Sequence, residues 1–180
     1  MRTEHPHPFQ HCPSCGAGDL QWNSSNRFTC PSCGFVFFHN TAAACGAILL
    51  YQDRVLLLER ANEPAKGMLD FPGGFVDPGE SAEQALIREI REEIRLEAQE
   101  LRYLCSAPNR YHYRGVTYNT CDLVFTGTLT EEPGSLQETE IAGFVLLSRD
   151  QVRQQLDRIA FPSLRQAMEL FLRGPVKRFY

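Results

Sequence analysis

The sequence predicts an α/β protein: an α/β/α sandwich around a mixed sheet, preceded by a small module held together by something other than a hydrophobic core. Three observations lead there. The unit Cys-Pro-Ser-Cys-Gly occurs twice, at 12–16 and 30–34, in a stretch poor in aliphatic residues. From Thr41 onward, short apolar runs bounded by turn residues recur in the manner of strands. Two apolar stripes of helical period, near 81–95 and after Pro162, interrupt those strands.

Residues 1–38 contain both cysteine pairs and the one tryptophan, Trp22. So small a piece cannot be stabilised by burial alone. Thiolates at i and i+3 on a tight turn offer two soft ligands from one side, and two such turns complete the tetrahedron that Zn²⁺ prefers. The glycine after each second cysteine lets the backbone turn beneath a metal. Cys12, Cys15, Cys30 and Cys33 are therefore the candidate Zn²⁺ ligands, and the segment resembles a zinc ribbon. A closed four-cysteine site is structural. His5, His7 and His11 are competing donors more readily solvated. Arg2 and Arg27 balance Glu4 and Asp19, so a strong phosphate-binding surface is not expected here.

Residues 39–180 form the second unit. Residues 43–51 and 54–60 read as a hairpin turned at Gln52-Asp53. Residues 62–79 form a loop rich in glycine and proline, and a loop of that length in a compact domain is usually functional. Residues 81–95 read as a helix: Ser81 is the N-cap, Gln84 completes a capping box, and Leu86, Ile90 and Ile94 form its apolar stripe. Strand-like runs follow near 101–106, 116–129 and 141–147. A short helix is expected over 151–156. A last helix starts at Pro162, runs through Leu164, Met168, Phe171 and Leu172, and ends near Gly174. Cys45, Cys105 and Cys121 fall in strand-like runs and are expected to be buried small side chains.

The bulk numbers exclude some classes. In 180 residues, 43% hydrophobic and 22% charged, wholesale disorder is not expected. A net charge of -4 argues against wrapping nucleic acid by bulk attraction. Seven cysteines, four of them in CxxC pairs, do not make a secreted disulfide framework. No apolar run is long enough to cross a membrane and residues 1–10 lack an apolar signal core, so the expected address is the cytoplasm, with no membrane partner.

The chemistry concentrates on the helix near 81–95. Glu89, Glu92 and Glu93 stand at i, i+3 and i+4 and share one face. Like charges so placed repel, and Mg²⁺ coordination converts the repulsion into binding. Glu80 and Arg88 can pair to orient the loop against the helix. The charge pattern alone fits a solvated amphipathic helix equally well.

Loop and helix together match the Nudix signature, G-x₅-E-x₇-R-E-U-x-E-E-x-G-U with U aliphatic. The matching residues are Gly74, Glu80, Arg88, Glu89, Ile90, Glu92, Glu93 and Leu96. Arg95 stands where that family has glycine, and a left-handed residue there costs about 1 kcal/mol. Upstream, residues 67–74 resemble the family's G-x-W-x-x-P-G-G, with Leu69 in place of Trp. The resemblance covers roughly 41–172. It implies Mg²⁺-dependent (or Mn²⁺-dependent) hydrolysis of a nucleoside diphosphate linked to another group, releasing a nucleoside monophosphate. Carried over by position, Glu89, Glu92, Glu93 and the Gly73 carbonyl hold the ion, while Glu80 and Arg88 brace the site. Glu93, Glu138 and Glu140 are alternative general bases.

A zinc ribbon before such a domain resembles the NADH pyrophosphatase group of that family, whose S-Q-P-W-P-F-P-x-S survives here only as Ser106 and Pro108. NADH, ADP-ribose or a similar dinucleotide is the implied substrate. Arg60 and Lys66 are candidate phosphate contacts, and Tyr111 and Tyr118, with His112 and Tyr113, candidate base or ribose contacts; all are equally readable as ordinary surface or strand residues. Two alternatives stand beside the enzyme: a non-catalytic nucleotide-sensing or nucleic-acid-binding regulator, and an enzyme removing an NAD cap from RNA. The expected partner is a nucleotide-containing small molecule. A homodimer is a further candidate, and nucleic acid a less favoured one.

Overall fold

A cluster of phenylalanines organises the first unit. In the computed structural model, which describes residues 9–23 and 26–174, three short antiparallel strands, β1 (Gln21–Trp22), β2 (Arg27–Thr29) and β3 (Val36–Phe38), form a sheet in that order. Phe28 on β2 is fully buried. The rings of Trp22 and Phe37 lie 5.1 and 5.7 Å from it. These strands were not expected, being too short to show a period of two. Of the histidines considered above, His5 and His7 lie outside the described residues, as do Arg2 and Glu4.

The larger unit is a seven-stranded mixed sheet of β4 (Ala42–Tyr51), β5 (Arg54–Arg60), β6 (Leu69–Asp70), β7 (Gly73–Phe75), β8 (Gln99–Tyr113), β9 (Val116–Thr128) and β10 (Ile141–Leu147). Its helices are α1 (Ala82–Ile94), α2 (Arg149–Gln154) and α3 (Pro162–Leu172), with a 3₁₀ turn at Leu156–Arg158. The strand order is β10-β5-β4-β9-β8. β4 and β9 run parallel, the other pairs antiparallel. Gln52 and Asp53 both take positive φ, the geometry of a two-residue hairpin turn.

Alternation sorts the strand residues to two faces. Cys45, Ala47, Leu49 and Phe125 pack with Ala85, Leu86, Ile90 and Ile94 of α1. Ile48, Val124 and Leu57 pack with Leu164, Ala167 and Met168 of α3. Leu86, Ile90 and Ile94 are almost wholly buried, each contributing about 1.5–3 kcal/mol by transfer from water. α1 begins with the expected capping box, the Gln84 amide donating to Ser81 Oγ and the Ser81 amide to Gln84 Oε1. It ends with Arg95 at φ 58°, ψ 27°, so the arginine adopts the left-handed turn that glycine would make at lower cost.

Several boundaries differ from the sequence reading. The expected loop over 62–79 contains β6 and β7, which pair with the inner strands β5 and β4 although they are only two and three residues long. β8 extends to Tyr113, well past 106, because the turn at Arg114-Gly115 lets it continue pairing with β9. α2 starts at Arg149 because Ser148 caps it. Cys45 is buried and Cys105 half-buried, but Cys121 is exposed: alternation on β9 turns it away from the side on which Thr120, Asp122 and Val124 are buried. No helix among the described residues is long and apolar enough to cross a membrane.

The sheet splits in its middle. β4 and β5 pair only through Leu49, Leu50 and Tyr51. Beyond that, β4 pairs with β7 and β5 with β6. The residues between, Phe71 and Pro72, cross the gap and place Gly73 and Gly74 opposite the middle of α1.

Candidate active site

A cavity of about 910 Å³ opens at this split, within the range of small-molecule sites. Seven carboxylates and three guanidinium groups line it.

The buried stripe of α1 against the sheet fixes which side chains face the gap. Glu93 is only 6% exposed, and one carboxylate oxygen accepts the Gly73 amide at 2.9 Å. Burial pushes its pKa well above the usual carboxylate range; the Gly73 amide pulls it down, while Asp70, Glu89 and Glu140 push it further up. Glu89 is shifted upward too, again chiefly by burial, against the opposing pull of Arg88. Gly74 leaves room for this: a Cβ there would lie 2.6 Å from Glu89 Cδ, and closer still to Oε1.

Arg88 ties the loop to the helix. Its Nε and Nη2 donate to the two Glu80 oxygens at 2.9 and 3.1 Å. Nη1 reaches Glu89 at 2.8 Å and Nη2 the Phe75 carbonyl at 3.2 Å. The paired guanidinium holds Glu80 below the usual carboxylate range. Glu80, off the cavity wall, thus acts on the site through Arg88 and through the Asp77 amide, which donates to its Oε2 at 3.2 Å.

Of the residues singled out from sequence, Gly73, Gly74, Arg88, Glu89, Glu93, Arg60, Tyr111, His112, Tyr113 and Glu140 line the cavity. Glu92 turns to the exposed rim, its side chain 49% accessible and 3.4 Å from Arg88 Nη1. Three others stand away from the wall. Lys66 is exposed on the far part of the loop. Glu138 and Glu140 are both exposed, but only Glu140 lines the cavity, its carbonyl accepting the Ala61 amide at 2.9 Å. Tyr118 pairs in register with Tyr111 but leans toward His39, ring centroids 6.4 Å apart. Arg60 is already engaged: it donates to Asp70 at 2.6 Å and to the Pro64 carbonyl at 2.8 Å, and stands 5.1 Å over the Phe161 ring.

Sequence reasoning passed over Asp70, Thr120, Asp122, Phe161 and Leu164, all on the wall. The available signal was a charge in the apolar run around 121–125, since a lone acid in a central strand is seldom there for packing.

Both candidate metal sites can be tested against their donors. The four cysteine sulfurs lie within 4.8 Å of one another, with Cys12–Cys33 at 3.7 Å and Cys15–Cys30 at 3.6 Å. A tetrahedron with Zn–S bonds of about 2.3 Å has edges of about 3.8 Å, so the sulfurs fit Zn²⁺. Although burial pushes the Cys12 thiol up, the Cys15 and Ser14 amides more than offset it and bring it to about 7. The Ala17 amide pulls Cys15 down, yet the sulfurs of Cys33 and Cys30 push it up to about 12. Such a set ionises completely only when a cation shares it. On α1 the donors are carboxylates beside a glycine amide, the hard oxygen set that Mg²⁺ takes. Mutual repulsion among Glu89, Glu93 and Glu140 is the charge a divalent ion would offset. These oxygens do not converge as tightly as the sulfurs, which among the described residues are the one such group within 4.8 Å.

Comparison with known proteins adds to this geometry. A family model described as NUDIX domain matches residues 40–170. The chain is 32% identical over 133 residues to the NAD-capped RNA hydrolase NudC of Edwardsiella ictaluri, covering 72% of this chain and 49% of that protein. It is 41% identical over 71 residues to an ADP-ribose pyrophosphatase of Methanocaldococcus jannaschii, covering 38% of this chain and 42% of that one. The chain thus spans about half the length of the curated relatives it matches. Among solved structures, a NUDIX hydrolase from Nitrosomonas europaea has a TM-score of 0.67 at 24% identity, covering 92% of this chain and 94% of that one. The NUDIX domain of Shewanella oneidensis NrtR, complexed with ADP ribose, has a TM-score of 0.60 at 24% identity, covering 74% and 88%. At these identities the two structures speak to the fold.

Proposed function

The chain belongs to the NUDIX domain family, and we propose that it hydrolyses the diphosphate of a nucleoside diphosphate joined to another group, such as NADH, ADP-ribose or a similar dinucleotide. The observation that carries the reading is the wall of the cavity: Glu89 and Glu93 face it from α1, opposite Gly73 and Gly74, with Arg88 braced between loop and helix. The relatives act, by their names, on NAD-capped RNA and on ADP-ribose, both of which contain a diphosphate joining a nucleoside to a second ribose-bearing group.

Glu89, Glu92 and Glu93, with the Gly73 carbonyl, would hold Mg²⁺ or Mn²⁺. When bound, such an ion neutralises phosphate charge and lowers the pKa of a coordinated water. The chain's own residues do the rest. The Gly73 amide fixes Glu93, and Arg88 fixes Glu89. Water oxygen bonds to one phosphorus, the bridging P–O bond breaks, and the water's proton passes to a carboxylate. Products are two phosphate monoesters. Glu140, at the cavity and beside both Glu89 and Glu93, is the better base among the later-loop candidates; Glu138 is off the wall. The four cysteines, none of which lines the cavity, would hold a structural Zn²⁺.

The test is incubation with Mg²⁺ and ADP-ribose, NADH, NAD⁺ or an NAD-capped oligonucleotide, with products resolved by chromatography. Release of a nucleoside monophosphate from at least one member is expected. Binding without turnover of any would replace the enzyme by a sensor. Turnover of the capped oligonucleotide alone would assign decapping.

A further inference from the structure

The part of the cavity formed by β9 and α3 contains groups that diphosphate hydrolysis does not use. Asp122 lies on the wall and is 7% exposed. Thr120 Oγ1 donates to its Oδ1 at 2.6 Å, and Ser163 Oγ to its Oδ2. Both hydroxyl residues are themselves buried, so the carboxylate cannot swing out to water. None of the ion pairs among the described residues includes Asp122. Burying a carboxylate on two neutral hydroxyls is unfavourable. A carboxylate has about four acceptor sites, so two are left unfilled by these hydroxyls beside the cavity.

The surroundings say what fills them. Tyr111 and Phe161 stand on the same wall, ring centroids 5.7 Å apart and tilted by 49°. Arg60 covers Phe161 and is fixed by Asp70. Asp70 is met by Arg60, so it is Asp122, in none of those ion pairs, that repels a phosphate. A flat ring bearing N–H donors is matched twice, by the aromatic walls and by the carboxylate. We propose that Asp122 anchors a ring-binding subsite that takes an aromatic ring bearing an NH₂ group, whether an exocyclic amine or a carboxamide. This rests on the preceding reading that the ring is joined to the diphosphate cleaved at α1, and it orients the substrate: ring toward β9 and α3, diphosphate toward Glu89 and Glu93. Thr120 and Ser163 are positioning residues that hold the carboxylate in place.

The experiment compares matched substrates that differ in the donor. One pair is ADP-ribose and its analogue with hydrogen in place of the 6-amine. The other is NAD⁺ and nicotinic acid adenine dinucleotide, in which a carboxylate replaces the carboxamide. The wild-type protein is expected to prefer the NH₂-bearing member of at least one pair by about 10- to 100-fold in kcat/KM, through KM; which pair responds identifies the ring. Asp122→Asn should reduce that preference to about twofold or less, chiefly by raising KM for the NH₂-bearing member. Ser163→Ala retains the carboxylate and the Thr120 tether and should lose clearly less of the preference than Asp122→Asn. Equal turnover of both members by the wild-type protein overturns the proposal, and that comparison needs no variant to fold. Equal loss of preference in Ser163→Ala and Asp122→Asn also overturns it, since the network would then be only a tether between β9 and α3. If the wild-type protein hydrolyses none of the four, the hydrolase reading fails, and calorimetric binding of AMP and nicotinamide mononucleotide still decides this one. Asp122→Asn must then weaken binding of at least one about tenfold or more, and unchanged affinity for both overturns it.

Discussion

Gly73 and Gly74 are neighbours whose replacement by alanine should have opposite consequences. At Gly73, φ is +147° and an added Cβ would lie 2.7 Å from Gly46 Cα, and closer to the Cys45 carbonyl oxygen. Both obstacles are backbone of β4, in the centre of the sheet, and can move only by disrupting the β4–β7 pairing. Gly73→Ala should therefore cost about 3 kcal/mol or more. At Gly74 the obstacle is the Glu89 side chain, its carboxyl carbon 2.6 Å from the new Cβ. Ordinary contact begins near 3.4 Å, so the carboxyl carbon must retreat by about 0.8 Å and Oε1 by about 1 Å, which a flexible side chain can do. Gly74→Ala should stay within about 1 kcal/mol of the parent in urea unfolding. A displacement approaching 1 Å in a group that positions the reacting atoms costs about 100-fold, so kcat for monophosphate release should fall by that factor, with weaker Mg²⁺ binding by calorimetry. A Gly74→Ala protein that hydrolyses at the parent rate would show that Glu89's position is not used. One that unfolds as readily as Gly73→Ala would show that the Glu89 side chain cannot yield.

Glu93→Gln is nearly isosteric and should lower kcat about 10³-fold. Its melting temperature in metal-free buffer should not fall, because burial already disfavours the charged Glu93. Arg88→Lys supplies one ammonium where a guanidinium reaches Glu80, Glu89 and the Phe75 carbonyl, and should cost roughly 10- to 100-fold in activity or Mg²⁺ affinity; an unchanged Mg²⁺ titration and rate would remove its bracing role. Arg95→Gly relieves a left-handed arginine at an exposed helix end and should raise stability by about 0.5–1 kcal/mol in urea unfolding; a loss of stability would contradict the cap assignment. Stripping metal with a strong chelator should release one Zn²⁺ per chain, expose four thiols to a colorimetric reagent and change the fluorescence of Trp22, which packs 5.1 Å from the Phe28 ring. A chain purified with no zinc and already-reactive thiols would refute the ribbon's metal.

What could be read from the sequence was local. The repeated CPSCG and the spacing of Glu80, Arg88, Glu89 and Glu93 depend on one turn or one helix, whose geometry is set within a few residues. The capping box at Ser81 and the hairpin at Gln52-Asp53 are likewise nearest-neighbour features. The rest needed the sheet. β6 and β7 are too short for periodicity to announce them and exist because β4 and β5 diverge and leave partners unpaired. Asp122 and Ser163 are forty-one positions apart and meet only because α3 packs on the β9 side of the sheet. Lys66 and Tyr118 show the converse: proximity in sequence to the loop and to Tyr111 does not put a side chain on the cavity wall.

The charge of the cavity links the two ends of the proposed site. Seven carboxylates face it against three guanidinium groups, a poor environment for a diphosphate anion and an expensive one for the protein. Arg88 is taken up by Glu80 and Glu89, and Arg60 by Asp70, so neither is free to neutralise phosphate. Arg114, the third, stands over the Tyr113 ring and away from α1, so at the α1 end cations brought by the solvent must do it, concentrating where Glu89 and Glu93 repel one another. The excess at the β9 end has no such remedy, since Asp122 meets neutral hydroxyls. There the field repels phosphate and attracts N–H donors. One acidic cavity thus distinguishes the two parts of a dinucleotide, because metal reaches one end and the other stays uncompensated. An Asp122→Asn protein should accordingly bind free inorganic pyrophosphate with Mg²⁺ as the parent does, and differ only toward ligands that bear the ring.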